Sequence, residues 1–244
     1  MSTILLRIAD DGVIRLAANR DEFRSRPFDP PDMLVQGAFG GRDLEAGGTW
    51  LAVGRDRLAA VTNIRGLPTD PEKKTRGLLP LLALMGGLPA TFEDYNPFNL
   101  VVIGPDERRV ITHLGGTTPP VDTPLGVGDH AILNEPFSLA ATGRPSARRR
   151  RALELLAEKG PGFEALSDHD ADLDATPCRH GQTFGTVCAT VLTWLPGAGV
   201  SRYLWCEGAP CEEDTRDLTA ACRRSYTVVR WDGAPTDTSA DGSE

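Results

Sequence analysis

The sequence predicts an α+β fold built in layers, and three observations carry that prediction. Ten strand-like apolar segments accompany only three helical patterns, and they do not alternate as βαβ units would require. The first two apolar runs, Thr3–Ile8 and Val13–Ala18, are nearly continuous, the mark of strands covered on both faces. The 26 glycines and 19 prolines among 244 residues supply the turns such a topology needs, well short of a low-complexity composition.

The elements follow in chain order. Asp10-Asp11-Gly12 between the first two runs signals a hairpin. Further strands are expected at Thr49–Val53, Leu58–Thr62, Asn99–Gly104, Arg109–Leu114, His130–Leu133, Val187–Leu195, Val200–Trp205 and Tyr226–Trp231. Gly40-Gly41 and Gly47-Gly48 bracket Arg42-Asp43 and read either as tight turns joining strands or as the rim of a pocket. Helical spacing appears at Thr75–Met85, Ser146–Glu158 and Glu212–Arg223. Pro145 ahead of the second helix and Gly160 behind it are the boundary residues helices prefer, whereas Pro80 is tolerated only in the first turn of the first. Residues 1–231 are expected to form one domain, followed by an acidic, disordered tail at 232–244.

Charge and cysteine usage narrow the function classes. The formal net charge is −8, of which the four acids of the tail carry half. That balance lacks the basic face a nucleic-acid binder needs. The one basic run, Arg148-Arg149-Arg150-Arg151, wraps around a helix and reads as a solvated face. No stretch reaches the ~18 apolar residues of a membrane span, and no secretory leader is visible, so a cytoplasmic protein is expected. The five cysteines, Cys178, Cys188, Cys206, Cys211 and Cys222, lack Cys-x-x-Cys spacing and read as reduced thiols. Cys178-Arg179-His180 offers two metal ligands without a partner pair, so no metal and no cofactor is expected. Gly126-Val127-Gly128-Asp129-His130-Ala131 has dinucleotide-fingerprint spacing but opens no helix, and neither a phosphate loop nor a Gly-x-Ser-x-Gly elbow occurs.

The hairpin geometry is more informative. A two-residue Asp11-Gly12 turn would place Ser2 opposite Asp21 and Ile4 opposite Asn19, while a three-residue loop would shift the pairing by one. Either way, the chain's first residues meet the polar cluster Asn19-Arg20-Asp21-Glu22. That cluster is either an exposed turn or a site. If Met1 is removed, Ser2 carries a hydroxyl and an α-amine of pKa ~8 in one residue, a nucleophile with its own base. A carboxylate can orient the amine, and a guanidinium can hold a substrate carboxylate.

Several segments together resemble one family. Ala17-Ala18-Asn19-Arg20-Asp21-Glu22-Phe23 with Arg26-Pro27 is similar to the signature of the NRDE family, also called the transport and Golgi organisation protein 2 family. Gly41-Arg42-Asp43, Ala46-Gly47-Gly48-Thr49-Trp50-Leu51, Ala60-Val61-Thr62-Asn63-Ile64-Arg65, Thr75-Arg76-Gly77, Asn96-Pro97-Phe98-Asn99-Leu100, Leu133-Asn134 and Phe184-Gly185-Thr186 continue the pattern in order. The resemblance implies a relationship to N-terminal nucleophile hydrolases of the choloylglycine hydrolase and penicillin acylase type, and with it a four-layer αββα sandwich. It also implies Ser2 as nucleophile, Asp21 as its orienting partner, and Asn134 and Asn63 as groups polarising the substrate. Arg20, Asn19, Arg42 and Trp50 would then line the substrate site. The departure is at position 2, where such members usually carry cysteine and this chain has serine.

Two functions follow from the resemblance. One is an amidase or acyl-transfer enzyme acting on a small-molecule amide or acyl compound through Ser2. The other is a non-catalytic carrier of a hydrophobic ligand such as haem or an acyl lipid, for which a broad apolar pocket is expected. Nothing in the sequence fixes the oligomeric state.

Overall fold

In the computed structural model, which describes residues 2–138, 144–169 and 176–226, the chain folds as two antiparallel sheets packed face to face with helices on both outer sides. The strands are β1 (Ser2–Ile8), β2 (Ile14–Phe23), β3 (Phe28–Val35), β4 (Ala38–Asp43), β5 (Leu51–Val53), β6 (Leu58–Asn63), β7 (Phe98–Ile103), β8 (Arg108–His113), β9 (Val121–Pro124), β10 (Gly128–Ile132), β11 (Phe184–Leu195), β12 (Gly199–Glu207) and β13 (Thr215–Asp217). The helices are α1 (Leu78–Leu84), α2 (Ala147–Lys159), α3 (Phe163–Leu166) and α4 (Thr219–Ser225). One sheet has the order β10-β1-β2-β11-β12-β13 and the other β3-β4-β5-β6-β7-β8-β9.

Strand alternation assigns each face of the first sheet. Ile4, Leu6, Ile8, Ile14, Leu16 and Ala18 point between the sheets, where they meet Phe39, Leu51, Leu58, Val101 and Val110 of the second. Leu5 and Ala17 point outward onto Leu155 and Leu156 of α2 and Leu166 of α3. On the far side, Ala59, Leu100 and Val102 pack against Leu79 and Ala83 of α1. This is the expected αββα layering, and it explains why β1 and β2 read as continuous apolar runs.

The opening hairpin takes the three-residue alternative. Gly12 N–H donates to Ala9 O at 2.9 Å and Ala9 N–H to Val13 O at 3.0 Å, closing a loop of Asp10-Asp11-Gly12. Gly12 sits at φ 81°, a left-handed conformation that glycine adopts without steric cost. The register therefore pairs Ser2 with Arg20 and Thr3 with Asn19, one position off the Ser2–Asp21 pairing of a two-residue turn. A shift of one exchanges the faces: Ser2 and Arg20 share the inner face, and Asp21 joins the outer one.

Other expectations change as well. Gly40 and Gly41 belong to strand β4 rather than to a turn. A Cβ at Gly40 would lie 2.1 Å from Leu51 O, and one at Gly41 2.4 Å from the Trp50 ring, so the segment entering β5 approaches β4 as only glycine permits. The helix expected over Glu212–Arg223 begins only at Thr219, because Thr215–Asp217 pairs with β12 as an edge strand. Pro80 does fall in the first turn of α1, and Ser146 caps α2 by accepting from Arg149 N–H at 3.0 Å. The basic run is not a solvated face throughout: Arg149 is buried over Phe137, and Arg148 turns inward to donate to Thr3 Oγ1 at 3.2 Å. Apart from Tyr226, the strand expected at Tyr226–Trp231 and the tail at 232–244 lie outside the described residues. Among the described residues no helix is long and apolar enough to cross a membrane.

Candidate active site

The inner face of the hairpin changes character along its length. Its opposed pairs run Ile8–Ile14, Leu6–Leu16, Ile4–Ala18 and then Ser2–Arg20. At that last rung the sandwich opens into a cleft of about 390 Å³. Its lining is dominated by charge: Arg20, Glu22, Arg26, Asp43, Lys73 and Arg76, with Ser2, Trp50 and Asn63 among them.

Arg20 is 5% exposed and is held from two sides. Its Nη2 donates to Asp43 Oδ2 at 3.0 Å, and its guanidinium carbon stands 4.5 Å from the centre of the Trp50 ring and 5.3 Å from that of Phe28. Trp50 is braced in turn by Trp205, stacked at 6.4 Å between centroids. Asp43 also accepts from Arg26 Nε at 2.8 Å and from the backbone N–H groups of Glu45 and Ala46. Burial works against its charge, but Arg26, the Ala46 N–H and Arg20 together hold its carboxyl below the ordinary 3.8. Arg20 thus shares one carboxylate with Arg26, and its buried Nη1 has no hydrogen-bond partner among the described residues. Arg76 is largely buried and donates to the Pro97 carbonyl, not to a carboxylate.

Asn134 fixes the start of the chain. Its Oδ1 accepts from Ser2 N at 2.5 Å, and its Nδ2 donates to Asn63 O at 2.7 Å. The geometry makes Asn134 a holder of the Ser2 nitrogen, and it leaves the exposed Asn63 side chain facing the cleft. Asp21 is 2% exposed and accepts from Thr186 Oγ1 at 2.8 Å, with Arg179 Nε at 3.9 Å. Burial raises its carboxyl above the ordinary value against the pull of Thr186, Arg148 and Arg179. Burial likewise depresses the Arg148 guanidinium to about 10.

Of the residues singled out from the sequence, Ser2, Arg20, Asp21, Trp50 and Asn63 line one cleft, with Asn134 behind Ser2. Two others lie elsewhere. Asn19 points to the outer layer, where its Nδ2 donates to Leu166 O and Pro177 O, and Arg42 lies on a separate groove beside β3, donating to Leu34 O. The cleft also recruits Arg26, Asp43, Lys73 and Arg76, which no sequence argument had given a role. Arg26, Asp43 and Arg76 sit inside the motifs quoted for the resemblance, so the signal was present, but only the fold reveals Asp43 as the partner of Arg20. All five cysteines are free, and Cys178, Cys211 and His180 converge on the outer side of the first sheet, with His169 beside them.

An αββα sandwich with residue 2 at the mouth between its sheets defines a fold of the N-terminal nucleophile hydrolase type. In agreement, the structure superposes with a TM-score of 0.54 on a cysteine-to-alanine mutant of conjugated bile acid hydrolase from Clostridium perfringens. That match is at 8% identity and covers 90% of this chain and 93% of that one. The profile of the Transport and Golgi organisation 2 family matches residues 13–158, and the chain belongs to that family. The mouse Transport and Golgi organization 2 homolog is 29% identical over 136 residues, so the chain spans about half the length of the curated relative it matches.

Proposed function

We propose that this chain is an N-terminal serine amidohydrolase for small amides or related acyl compounds that carry an anionic group, working in the cytoplasm. The observation that carries the reading is the rung Ser2–Arg20 at the mouth of a charged cleft, with the Ser2 nitrogen held by Asn134.

The steps follow from the residues in place. With Met1 removed, the Ser2 α-amine takes the hydroxyl proton as Oγ attacks the scissile carbonyl. Asn134 Oδ1 holds the amine, and the Asn63 side chain supplies a donor toward the developing oxyanion. Collapse of the tetrahedral adduct breaks the C–N bond, and the ammonium returns its proton to the leaving amine. A water molecule, deprotonated by the same amine, then releases the acyl group as a carboxylic acid. Arg20 and Arg76, which line the same cleft, supply cationic donors for a substrate carboxylate. Asp21 keeps a negative charge behind the N-terminus when ionised.

A carrier of haem or acyl lipid needs a broad apolar pocket, and the charged lining of the Ser2 cleft favours the hydrolase reading over it.

Intact mass of the purified chain, before and after an electrophilic acyl probe, tests the proposal. The expected result is loss of Met1 and one probe adduct that disappears in Ser2→Ala. Retention of Met1, or labelling unchanged by Ser2→Ala, overturns it.

A further inference from the structure

On the outer side of the first sheet, three segments distant in sequence bring two thiols and two imidazoles together. Cys178 Sγ and Cys211 Sγ are 3.6 Å apart, and His180 Nε2 lies 3.4 Å from the first and 3.1 Å from the second. His169 offers a ring nitrogen that lies, with His180 and Cys211, in a group whose ligand atoms are all within 4.8 Å of one another. Tetrahedral zinc, with bonds of about 2.3 Å to sulfur and 2.0–2.1 Å to nitrogen, requires ligand edges of about 3.8 Å between sulfurs and about 3.5 Å between sulfur and nitrogen. The three short edges are close to those lengths.

The orientation of both rings adds a second observation. His180 Nδ1 faces Glu212 Oε1 at 3.4 Å, and His169 Nδ1 lies 2.7 Å from the Ser167 carbonyl oxygen. In each ring the Nδ1–H is thereby committed to an oxygen, leaving Nε2 as the unprotonated nitrogen available to a metal. A carboxylate or carbonyl behind a ligating imidazole is the usual arrangement that fixes its tautomer and aim.

We propose that Cys178, His180, Cys211 and His169 form a zinc site that ties residues 176–186 to the loop after β12. The donor set of two thiolates and two imidazoles suits zinc, and four protein ligands make it a closed, structural site. Binding releases the two thiol protons to solvent, and the zinc with its two thiolates is neutral overall. The tie has a consequence for the cleft. Pro177 O accepts from Asn19, and Arg179 N–H donates to Thr186 Oγ1, which itself donates to Asp21. The ion therefore anchors the strap that positions Asp21, and its existence does not depend on Ser2 being a nucleophile.

The test is metal analysis of the full chain, purified with zinc supplied, followed by exchange of zinc for cobalt(II). The expected result is one equivalent of zinc and a cobalt form with a thiolate charge-transfer band and intense tetrahedral visible bands. Cys211 lies at the surface, so Cys211→Ser should fold, bind at least ~100-fold more weakly and lose the charge-transfer intensity of one thiolate. Glu212→Gln, which touches no metal, should weaken zinc about 10-fold and leave the cobalt spectrum unchanged in form. Sub-stoichiometric zinc with no thiolate–cobalt band overturns the site. So does a Cys178–Cys211 disulfide in protein alkylated before reduction, or one equivalent of copper or iron where zinc is refused.

Discussion

The two ends of the inter-sheet space are built on the same hairpin yet are opposite environments. At the loop end, Ile8, Ile14, Ile103, Trp194 and Val200 fill the gap between the sheets, and the one polar atom of the group, Trp194 Nε1, donates to Gly54 O at 3.1 Å. Three rungs along, Arg20 occupies the equivalent inward position opposite Ser2, and carboxylates replace the aliphatic neighbours. Ala18 is the transition, a small side chain beneath the cleft. Apolar packing stabilises in proportion to area removed from water, whereas a buried ion pair recovers little more than its desolvation cost. The first end is therefore where the fold is held, and the second is where stability has been given up for buried charge beside a cleft.

The largest effect expected from that contrast is at Trp194, which is 1% exposed. Trp194→Ala should cost about 3–5 kcal/mol of unfolding free energy in denaturant titrations, with probe labelling of Ser2 unchanged per folded molecule. Arg20→Met should behave in the opposite way. Methionine keeps an apolar stem against Trp50, and Asp43 retains Arg26, so stability should fall by less than about 2 kcal/mol. Labelling by an anionic acyl probe should drop about 10- to 100-fold, the loss of one charge-assisted contact, while a neutral probe is spared. Equal losses of stability in the two variants, with no discrimination between probes, would make the polar end a second core.

How far the sequence foretold these two ends depends on the kind of signal each carries. The strands β1, β2, β6 and β7 were legible as nearly continuous apolar runs, and β8, β11 and β12 as apolar stretches interleaved with polar residues, patterns that need no partner to be read. Strand β3 escaped because Pro30 and Pro31 argue against a strand, and they are tolerated only because β3 is a sheet edge. Strand β4 escaped because Gly40 and Gly41 resemble turn residues until the Leu51 carbonyl and the Trp50 ring are seen pressing on them. At the site, the Asp-Gly turn admits two registers, and one residue of slip decides whether Ser2 faces Asp21 or Arg20. Asn19 and Arg42 were grouped with the cleft through the motifs of the resemblance, and strand alternation turns Asn19 to the outer layer while Arg42 reaches across to Leu34 O of β3. The thiol–imidazole cluster draws on residues 169, 178, 180 and 211, a spacing no short motif encodes.

The smallest effect expected concerns the one histidine buried in the α1 layer, which is apolar like the loop end. His113 is 1% exposed, with its ring 5.5 Å from that of Phe98 and 6.0 Å from that of Phe92. Burial depresses its pKa below the ordinary 6.5, and the nearby Lys73 charge adds to this, against backbone groups at Tyr95 and Thr118 that favour the protonated ring. Below pH 6.5 the unfolded chain therefore takes up a proton that the native state still refuses. Stability from His113 is present above that value and is lost as the pH falls toward the folded-state pKa, with a slope of at most about 1.4 kcal/mol per pH unit for one proton. The chain carries four histidines, so the test is a difference: urea unfolding of the wild type and His113→Phe at pH 7.5 and 5.5. Phenylalanine between two phenylalanines should be tolerated, and the variant should lose less stability on acidification than the wild type. If the two lose the same amount, His113 is protonated as readily in the fold as outside it, and that layer is less dry than its packing implies.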